Sequence, residues 1–427
     1  MAQPRSLTTL DDWLAWLETL APNEIDLGLE RVTRVLQRLQ LQLTARVVHV
    51  AGTNGKGSSV AMLEALLLAG GQKVGAYSSP HINAYNERIR LAGRAAADAT
   101  IVDAFGRVEQ VRGDEALTYF EFGTLAALCI FDAAGVDTML LEIGLGGRLD
   151  AVNAVEPDAG IITNVALDHC DWLGDNLESI GFEKAGILRA GKPFVFAGPS
   201  LPVSVAKHAA AIGAELRVAG QDYSYAQQGD GGWGFNGRSV HISGLRRPSA
   251  VATYQVQNAA GVLALAEAMG ETALLNADLI HAAWDHTALP GRLQFVERER
   301  QWILDVAHNV AGAEALATSL AELDMNAGVS CLIGVLDDKD LPGIVAALSP
   351  LVTQWLAVTA DGHRAVPAHE VARVIANLTG SPCHIAASVI AACTLLDATG
   401  PDIRPVLVTG SFMTVGPVMR WLEADAG

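Results

Sequence analysis

The stretch that decides the fold is VVHVAGTNGKGSS, residues 47–59. It opens with a short apolar strand, Val47–Val50, and continues with a glycine-rich loop from Gly52 to Ser58. A helical pattern over Val60–Leu68 follows at once. Glycines let backbone N–H groups turn toward an anion, and the dipole of the next helix favours negative charge there. The stretch therefore predicts a phosphate-binding loop between a buried strand and a helix.

Two side chains give this loop its expected chemistry. Lys56 is placed to reach terminal phosphates, and the Ser58 hydroxyl to ligate Mg²⁺. The spacing departs from the strict Walker form, because a glycine separates Lys56 from Ser58 and fewer residues precede the Gly-Lys pair. The alternative is a glycine-rich turn that only caps a helix, which the order strand, loop, helix disfavours.

The same alternation of strands and helices extends along the whole chain. Apolar segments of the buried, parallel kind are Lys73–Tyr77, Thr138–Ile143 and Gly160–Thr163, and a helix is predicted over Glu121–Ala133. The sequence LPGR, which ends at Arg292, indicates a turn that interrupts this alternation. After it the alternation restarts, with strands at Trp302–Val306, Cys331–Val335, Trp355–Val358 and Val406–Thr409. We therefore expect an α/β protein of two domains, 1–292 with a mostly parallel sheet and a smaller 293–427.

Composition limits the classes of function. The chain has 427 residues, is 50% hydrophobic and 18% charged, and carries a net charge of -18. This charge argues against nucleic acid as a partner, since phosphate contacts need a basic surface, but it leaves an anionic small substrate open. The sequence shows neither a signal peptide nor a membrane-spanning stretch, and five scattered cysteines suggest reduced thiols. We expect a cytoplasmic protein.

Polar residues follow the predicted strands where a ligand would bind. Ser79 comes after the second strand, Glu142 ends the third, and Asp168-His169 follow the fourth. Magnesium prefers oxygen ligands, so Glu142 and serine hydroxyls suit it, and His169 could join a second, substrate-bridging ion. Each residue also has an alternative role when it is taken singly. Ser79 could have no role beyond shaping a turn, Glu142 could be a helix cap or part of a buried pair, and His169 could be a structural histidine.

Lys184, in FEKAGI, is ambiguous from the sequence. By itself a helix lysine is most often solvated. Buried near a cation, its ammonium would be repelled. It would then need lowered basicity or conversion to a carbamate, which would provide a carboxylate-like ligand.

Taken together, the motifs resemble those of a known family. AGTNGKGSS, YSSPH, LTYFEFGTLAAL, LEIGLGGRLDAVN, ALDHCDWLG, EKAGI, LPGRLQ, DVAHN and VTGSF occur in this order. This set closely resembles the bifunctional dihydrofolate synthase/folylpolyglutamate synthase family, a branch of the Mur-ligase superfamily. The resemblance extends over almost the whole chain, from Ile25 to Met419.

The resemblance implies a fold, an activity and a set of residue roles. It implies an N-terminal ATPase domain, a Rossmann-like C-terminal domain and an enzyme that uses ATP and Mg²⁺ to add L-glutamate to dihydropteroate and tetrahydrofolate. We expect two Mg²⁺ ions, and a monomer because two large domains can supply their own cores. The implied catalytic residues are Lys56, Lys184 and His308. The implied ATP-binding residues are Asn54, Gly55, Lys56, Gly57, Ser58, Asn258, Arg292 and Asp305. The implied metal ligands are Ser58, Ser79, Glu142, His169 and Lys184 as a carbamate.

The resemblance also implies a pterin pocket. Its residues are Ile25, Asp26, Leu27, Thr118, Tyr119, Phe120, Glu121, Leu149, Asp150 and Ala151. Phe120 offers a flat face for a pterin ring, and Asp150 an acceptor for its N–H groups. The alternative for Tyr119-Phe120 is core packing at a helix end. Met413 departs from the pattern, since a polar residue such as His is expected there.

Three other functions are alternatives to the bifunctional folate ligase. A ligase for a muramyl peptide shares the ATP chemistry but usually needs a uridine-nucleotide domain, and only about 46 residues precede the first predicted strand. The second alternative is a folylpolyglutamate synthase that lacks dihydrofolate synthase activity. A non-catalytic nucleotide switch is the third, and the joint presence of Lys56, Ser58, Glu142, His169 and Lys184 argues against it.

Overall fold

The structure is a computed structural model that describes residues 7–21, 25–228, 232–247, 253–285, 287, 289–323, 325, 328–398 and 404–424. The chain divides into two compact units. The first contains Met1–Val165, Asn176–Arg246 and Gln257–Thr287, and the second contains Ala166–Asp175, Arg247–Val256 and Ala288–Gly427. The second unit thus takes in two segments from earlier parts of the chain.

The first unit is built on an eight-stranded sheet. Its strands are β1 (Arg46–Ala51), β2 (Val74–Tyr77), β3 (Ile89–Leu91), β4 (Arg94–Ala95), β5 (Thr138–Glu142), β6 (Ala159–Ile162), β7 (Pro193–Phe196) and β8 (Glu215–Val218). Their order is β4-β3-β2-β5-β1-β6-β7-β8. All neighbours from β2 to β8 pair in parallel, and β3 and β4 add antiparallel strands at one edge. The carboxyl ends of the central strands therefore lie at one edge of the sheet.

Helices connect these strands and continue through the second unit. In chain order they are α1 (Leu10–Leu17), α2 (Glu30–Leu39), α3 (Lys56–Ala69), α4 (Asp98–Arg112), α5 (Tyr119–Ala134), α6 (Cys170–Leu173), α7 (Leu177–Ala185), α8 (Val203–Ile212), α9 (Thr253–Ala268), α10 (Ala277–Trp284), α11 (Val310–Glu322), α12 (Leu341–Leu348), α13 (Ala368–Thr379), α14 (Val389–Ala398) and α15 (Phe412–Ala424). One apolar core of the first unit buries side chains of α1, α2, α4 and α5 against the sheet, among them Trp13, Phe105 and Phe122.

The helix predicted over Val60–Leu68 begins earlier than expected. α3 starts at Lys56, directly after Gly55, so the phosphate loop runs into the first helical turn without a spacer. Similarly, α5 starts at Tyr119 rather than Glu121, because Thr118 caps it and Glu121 completes a capping box. The end of the predicted phosphate loop, from Lys56, therefore belongs to the first turn of α3, and Tyr119-Phe120 belong to the first turn of α5.

A small sheet of three antiparallel strands belongs to the first unit. Its strands are β9 (Ser224–Gln227), β10 (Trp233–Asn236) and β11 (His241–Leu245). Residues 229–231 lie outside the described residues. The turn after β10 is fixed by the buried Glu267, whose Oε1 accepts hydrogen bonds from the backbone of Ser239 and Val240.

The second unit has a six-stranded sheet of its own. Its strands are β12 (Gln294–Glu297), β13 (Gln301–Leu304), β14 (Val329–Ile333), β15 (Val352–Ala357), β16 (Cys383–Ile385) and β17 (Val406–Thr409). They lie in the order β12-β13-β17-β14-β15-β16, parallel except for β12. The predicted α/β class, with a parallel-rich N-terminal sheet and a second C-terminal α/β sheet, is confirmed.

A helix that crosses a bilayer must be both long and apolar. Within the described residues, none of the helices combines the length and the apolar character that a membrane span requires.

Candidate active site

The glycine-rich loop is held by side chains that follow β6, the parallel neighbour of β1. Asn164 Oδ1 accepts hydrogen bonds from the backbone N–H groups of Thr53 at 3.2 Å and Asn54 at 2.9 Å. The Thr163 hydroxyl donates to the Asn54 carbonyl at 2.6 Å. Sequence reasoning missed both Thr163 and Asn164, although their place at the end of a strand beside β1 was a usable signal.

Two glycines are required by close approaches of other segments. Gly52 has a φ of 149°, and a Cβ there would overlap the Thr163 hydroxyl. Gly55 has a φ of 83°, and a Cβ there would overlap the side-chain oxygen of Asn258. The structure therefore packs Asn258, a predicted ATP-binding residue far away in sequence, directly against the phosphate loop.

The lysine and the serine of the loop lie at the start of α3. Lys56 Nζ donates to the carbonyls of Gly52 at 3.1 Å and Thr53 at 3.2 Å, so the ammonium is folded over the loop. Ser58 is buried in the first turn of the helix. A helix N-terminus with an ammonium at its loop favours a bound anion.

Glu142 is brought to this loop by strand register. It ends β5 opposite Val50 of β1, and it is buried. Its Oε2 accepts a hydrogen bond from the Ser79 N–H at 3.2 Å and lies 3.6 Å from where a Cβ of Gly57 would be. Two serines and a carboxylate thus converge at the ends of β1, β2 and β5.

The donor set at this place fits a hard cation. Glu142, Ser58 and Ser79 offer carboxylate and hydroxyl oxygens, which are the ligands that Mg²⁺ prefers. Among the described residues, no three His, Cys, Asp or Glu side chains are grouped so as to hold a metal ion. The predicted site depends instead on hydroxyls and on a modified lysine.

Lys184 is buried in the last turn of α7, contrary to the solvated position that is usual for a helix lysine. The backbone around it packs against the glycine-rich loop after Glu142, because a Cβ at Gly147 would lie 3.1 Å from the Lys184 carbonyl. Arg148 N also donates to the Glu183 carbonyl at 2.8 Å. The carbamylation of Lys184 stays a prediction.

The three segments predicted to line a pterin pocket lie together. Gly28, which follows the Ile25–Leu27 loop, donates its N–H to the Leu149 carbonyl at 3.2 Å. Arg31 joins this loop to α5, because its Nε donates to both Glu121 oxygens at 2.8 Å and its guanidinium pairs with Asp26. Asp26 and Glu121 therefore also connect the Ile25–Leu27 loop to α5 through their ion pairs with Arg31.

Phe120 and Asp150 also lie in this region. The Phe120 ring lies 5.8 Å from the Tyr77 ring and covers Gly144, whose absent side chain makes room for it. Asp150 is buried, and its two oxygens accept from the N–H groups of Leu145 at 2.8 Å and Val152 at 3.0 Å. Burial raises the pKa of Asp150 to about 7, despite these hydrogen bonds.

The second unit holds His169 within a charged cluster. Its neighbour Asp168 is buried and accepts from Lys339 Nζ at 2.7 Å and Asn309 Nδ2 at 2.9 Å, with His308 Nε2 at 3.4 Å. Burial alone would raise the pKa of Asp168, but the hydrogen bond and charge of His308, with His169 and Lys339, hold it well below its usual range. Asp168 and Lys339 were absent from the predicted site.

Arg292 and Asp305 also lie in the second unit. The Arg292 guanidinium is 5.2 Å from the centre of the Phe412 ring, and the His308 ring is 5.7 Å from the same ring. Asp305 is buried, and its oxygens accept from Tyr254 Oη at 3.0 Å and from the N–H groups of Leu293 and Ala307. Burial raises the pKa of Asp305.

The predicted residues thus fall into two groups, one in each unit. Asn54–Ser58, Ser79, Glu142, Lys184, Asn258 and the pterin segments belong to the first unit, and His169, Arg292, Asp305 and His308 to the second. Met413, the departure noted in the sequence, is exposed in the first turn of α15.

Family models match both parts of the chain. The model described as Mur ligase middle domain matches residues 50–197, and the one described as Mur ligase, glutamate ligase domain matches residues 291–412.

Curated and solved proteins match nearly the full length. The dihydrofolate synthase/folylpolyglutamate synthase of Escherichia coli (strain K12) is 41% identical over 422 residues, covering 99% of this chain and 97% of that protein. The structure of E. coli FolC in complex with DHPP and ADP has a TM-score of 0.93 and 39% identity, covering 100% of both chains. The Yersinia pestis bifunctional folylpolyglutamate synthase/dihydrofolate synthase complexed with AMPPNP and Mn ion has a TM-score of 0.89 and 40% identity, covering 99% and 100%. The chain therefore belongs to the dihydrofolate synthase/folylpolyglutamate synthase family of Mur ligases.

Proposed function

We propose that this chain is an ATP- and magnesium-dependent ligase that adds L-glutamate to dihydropteroate and to tetrahydrofolate. The observation that carries the proposal is that one unit contains the phosphate loop, the buried Glu142 carboxylate and the neighbouring segments with Phe120 and Asp150. An acceptor held in that pocket and a nucleotide held on that loop would share one edge of the sheet. Family membership and the nucleotide-bound relatives support the same reading.

Charge neutralisation is the first task of such a site. An acceptor carboxylate and a triphosphate repel each other, and the loop N–H groups, the α3 N-terminus and Lys56 offset part of that charge. Ser58, Ser79 and Glu142 would hold Mg²⁺ there, with His169 and carbamylated Lys184 as further ligands. Bound Mg²⁺ supplies Lewis-acid stabilisation of the negative charge on the transferring phosphoryl group.

The reaction then takes two steps. An oxygen of the acceptor carboxylate attacks the γ-phosphorus of ATP, the bond from phosphorus to the β,γ-bridging oxygen breaks, and ADP leaves with that electron pair. The product is an acyl phosphate. The amine of glutamate attacks its carbonyl carbon, the bond from carbon to the phosphate oxygen breaks, and the nitrogen loses its extra proton as the amide forms. In this scheme Lys56 and Asn54 bind phosphate oxygens, and Asn258, Arg292 and Asp305 contact the nucleotide.

The acceptor would be recognised by its pterin ring. Phe120 presents a face for stacking, and Asp150 in its ionised form presents lone pairs to ring N–H groups. The loop at Ile25–Leu27 and the backbone at Leu149 form neighbouring walls. His308, beside Asp168 in the second unit, is the candidate catalytic group of that unit.

We also propose that the protein acts as a monomer in the cytoplasm. Support for the monomer is that each unit has its own apolar core. Support for a reducing compartment is that the cysteines Cys129, Cys170, Cys331, Cys383 and Cys393 are free.

The test incubates the purified chain with ATP, Mg²⁺ and glutamate, and with dihydropteroate, tetrahydrofolate or no acceptor. Phosphate release and product mass are read together. A gain of one glutamate on both acceptors is expected. A gain on tetrahydrofolate alone would reduce the assignment to folylpolyglutamate synthase, and no gain on either would overturn it in favour of a muramyl-peptide ligase or a nucleotide switch.

A matched pair of variants checks that the phosphate loop carries the reaction. Lys56→Ala removes the ammonium folded over the loop and is expected to lower turnover at least about a hundredfold. Lys73→Ala removes a lysine beside β2 and is expected to leave turnover unchanged. Undiminished turnover in Lys56→Ala would refute the role assigned to this lysine.

A further inference from the structure

Arg88 lies beside the predicted pterin pocket. The Arg88 guanidinium carbon is 5.5 Å from the centre of the Tyr85 ring and 5.4 Å from that of the Tyr119 ring. Its Nε donates a hydrogen bond to His81 Nδ1 at 2.8 Å. Arg88 is therefore held in one orientation by two aromatic rings and an imidazole.

This geometry also determines the protonation of His81. A guanidinium can only donate hydrogen bonds, so His81 Nδ1 accepts and the neutral ring carries its proton on Nε2. Arg88 and His81 together present hydrogen-bond donors.

Three other arginines of the first unit pair with carboxylates. Arg31 pairs with Glu121, Arg90 with Glu64, and Arg112 with Glu109. In the part of the chain that the structure describes, no carboxylate pairs with Arg88, and its Nη1 and Nη2 donate no hydrogen bond. Glu87, adjacent in sequence, is engaged instead by backbone N–H groups of residues 82–84.

The position of Arg88 connects the two parts of the candidate site. His81 lies two residues after Ser79, whose N–H is bonded to Glu142. Tyr119 precedes Phe120, which faces Tyr77 and Gly144. Arg88 is therefore packed against side chains from both the segment that follows Ser79 and the segment that carries Phe120.

We propose that Arg88, oriented by His81 and Tyr119, binds the non-reacting glutamyl carboxylate of tetrahydrofolate and of its polyglutamates. The inference rests on the proposed function and adds the group that recognises the second class of acceptor. Dihydropteroate carries only the carboxylate that reacts, whereas tetrahydrofolate carries a further α-carboxylate. An arginine that has no carboxylate partner among the described residues fits this additional charge, because the guanidinium edge binds a carboxylate through two parallel N–H bonds.

Arg88 therefore sets acceptor preference, and its loss changes a ratio. In Arg88→Met the ratio of kcat/KM for tetrahydrofolate to kcat/KM for dihydropteroate falls about tenfold or more, through a higher KM for tetrahydrofolate. Arg88→Lys keeps the positive charge but lacks the two parallel N–H groups of a guanidinium, so its ratio lies between those of Arg88→Met and the wild type. Arg94→Met, which removes an exposed arginine from β4 in the same sheet edge, leaves the ratio at the wild-type value.

The experiment measures this ratio together with direct binding. Dissociation constants for tetrahydrofolate and dihydropteroate are obtained by isothermal titration for wild type, Arg88→Met, Arg88→Lys and Arg94→Met, and thermal unfolding shows that each variant is folded. A selective loss of tetrahydrofolate affinity in Arg88→Met supports the assignment. Equal changes for both acceptors, or no change, would overturn it and leave Arg88 a structural residue.

These measurements separate the two proposals. Wild-type protein that glutamylates dihydropteroate but shows no effect of Arg88→Met on the ratio contradicts the carboxylate subsite alone. Wild-type protein that forms no amide with either acceptor contradicts the proposed function. In that case the binding constants still decide whether Arg88 recognises the additional carboxylate.

Discussion

Asp150, the carboxylate proposed to bind the pterin ring, lies in an environment that opposes its ionisation. Burial raises its pKa to about 7, and the N–H groups of Leu145 and Val152 reduce the rise without abolishing it. An acceptor that donates ring N–H groups to Asp150 needs the ionised form. Binding of the acceptor should therefore strengthen as the pH rises toward and through 7.

The first prediction concerns this pH dependence. For the wild type, the dissociation constant of dihydropteroate measured without ATP should rise about tenfold for each pH unit below 7 and level off above it. Asp150→Asn keeps a residue that can cap the turn at Ala151–Ala154 but does not titrate. Its binding should be weaker and flat between pH 5.5 and 8. The same pH step in the variant would assign the titration to another group.

The second prediction uses two glycines with nearly the same φ angle. Gly55 has a φ of 83° and Gly71 a φ of 82°, but a Cβ at Gly55 would overlap Asn258 whereas one at Gly71 would meet nothing within 4 Å. Gly71→Ala should therefore cost only the backbone strain, about 1–2 kcal/mol of unfolding free energy. Gly55→Ala should cost more and also weaken ATP binding, because Asn258 must move.

The measurement for this pair is urea denaturation combined with titration of ATP. Gly71→Ala should bind ATP like the wild type. Equal losses of stability in the two variants, with ATP affinity intact in both, would show that the contact between Gly55 and Asn258 carries no weight.

The capped first turn of helix α5 contains residues of the predicted pterin pocket. Thr118 Oγ1 accepts from the Glu121 N–H at 3.2 Å, and Glu121 Oε2 accepts from the Thr118 N–H at 2.8 Å. Helix α1 begins with the same arrangement, formed by Thr9 and Asp12 at 3.2 and 3.1 Å. The two capping boxes differ in the residues that they enclose, since only the one on α5 encloses Phe120.

The third prediction compares the two caps. Thr118→Ala and Thr9→Ala should each lower the unfolding free energy by about 0.5–2 kcal/mol. Only Thr118→Ala should raise KM for dihydropteroate, because the first turn that orients Phe120 becomes less ordered. Steady-state kinetics beside thermal denaturation tests this. A similar rise of KM in Thr9→Ala would indicate a general loss of stability.

The second unit depends on a residue from the middle of the chain. Asp168, within the Ala166–Asp175 segment, accepts from Lys339 Nζ at 2.7 Å, and both side chains are 6% exposed. Lys192 and Asp158 form an ion pair at 2.9 Å in the first unit with both side chains 44% exposed. Buried and exposed pairs respond differently to the loss of one partner.

The fourth prediction uses this contrast. Lys339→Met should lower the unfolding free energy by about 3–5 kcal/mol, because it leaves the Asp168 carboxylate buried without its ammonium partner. Lys192→Met should cost at most about 1 kcal/mol. Urea denaturation of both full-length variants provides the comparison. If the two losses are equal, the Asp168–Lys339 pair does not stabilise the second unit.

The same contact bears on how the chain can be divided. A cut near residue 292 is the one that the sequence suggests, but the second unit includes residues 166–175, and with them Asp168. A fragment that starts after residue 292 contains Lys339 without Asp168. The domain boundary at 292/293 therefore stays a proposal from the order of motifs along the chain. The second unit contains residues from both sides of that boundary.

Much of this protein was determined by its sequence alone. Apolar runs such as Thr138–Ile143 predict buried strands, and the glycines of residues 52–57 predict an anion loop, because both depend on local backbone and burial preferences. Helix starts were less predictable, since α3 begins four residues and α5 two residues before the predicted starts at Val60 and Glu121. The ordered motifs were sufficient to place the chain in its family.

Only the tertiary structure decided which distant residues meet. The insertion of β5 between β1 and β2 brings Glu142 to the phosphate loop, and packing brings Asn258 to Gly55, Arg88 to Tyr119 and Asp168 to Lys339. No local pattern encodes such contacts, because they result from strand order and from the packing of side chains far apart in the chain. Local chemistry therefore named the parts of the candidate site, and long-range packing determined which of them act together.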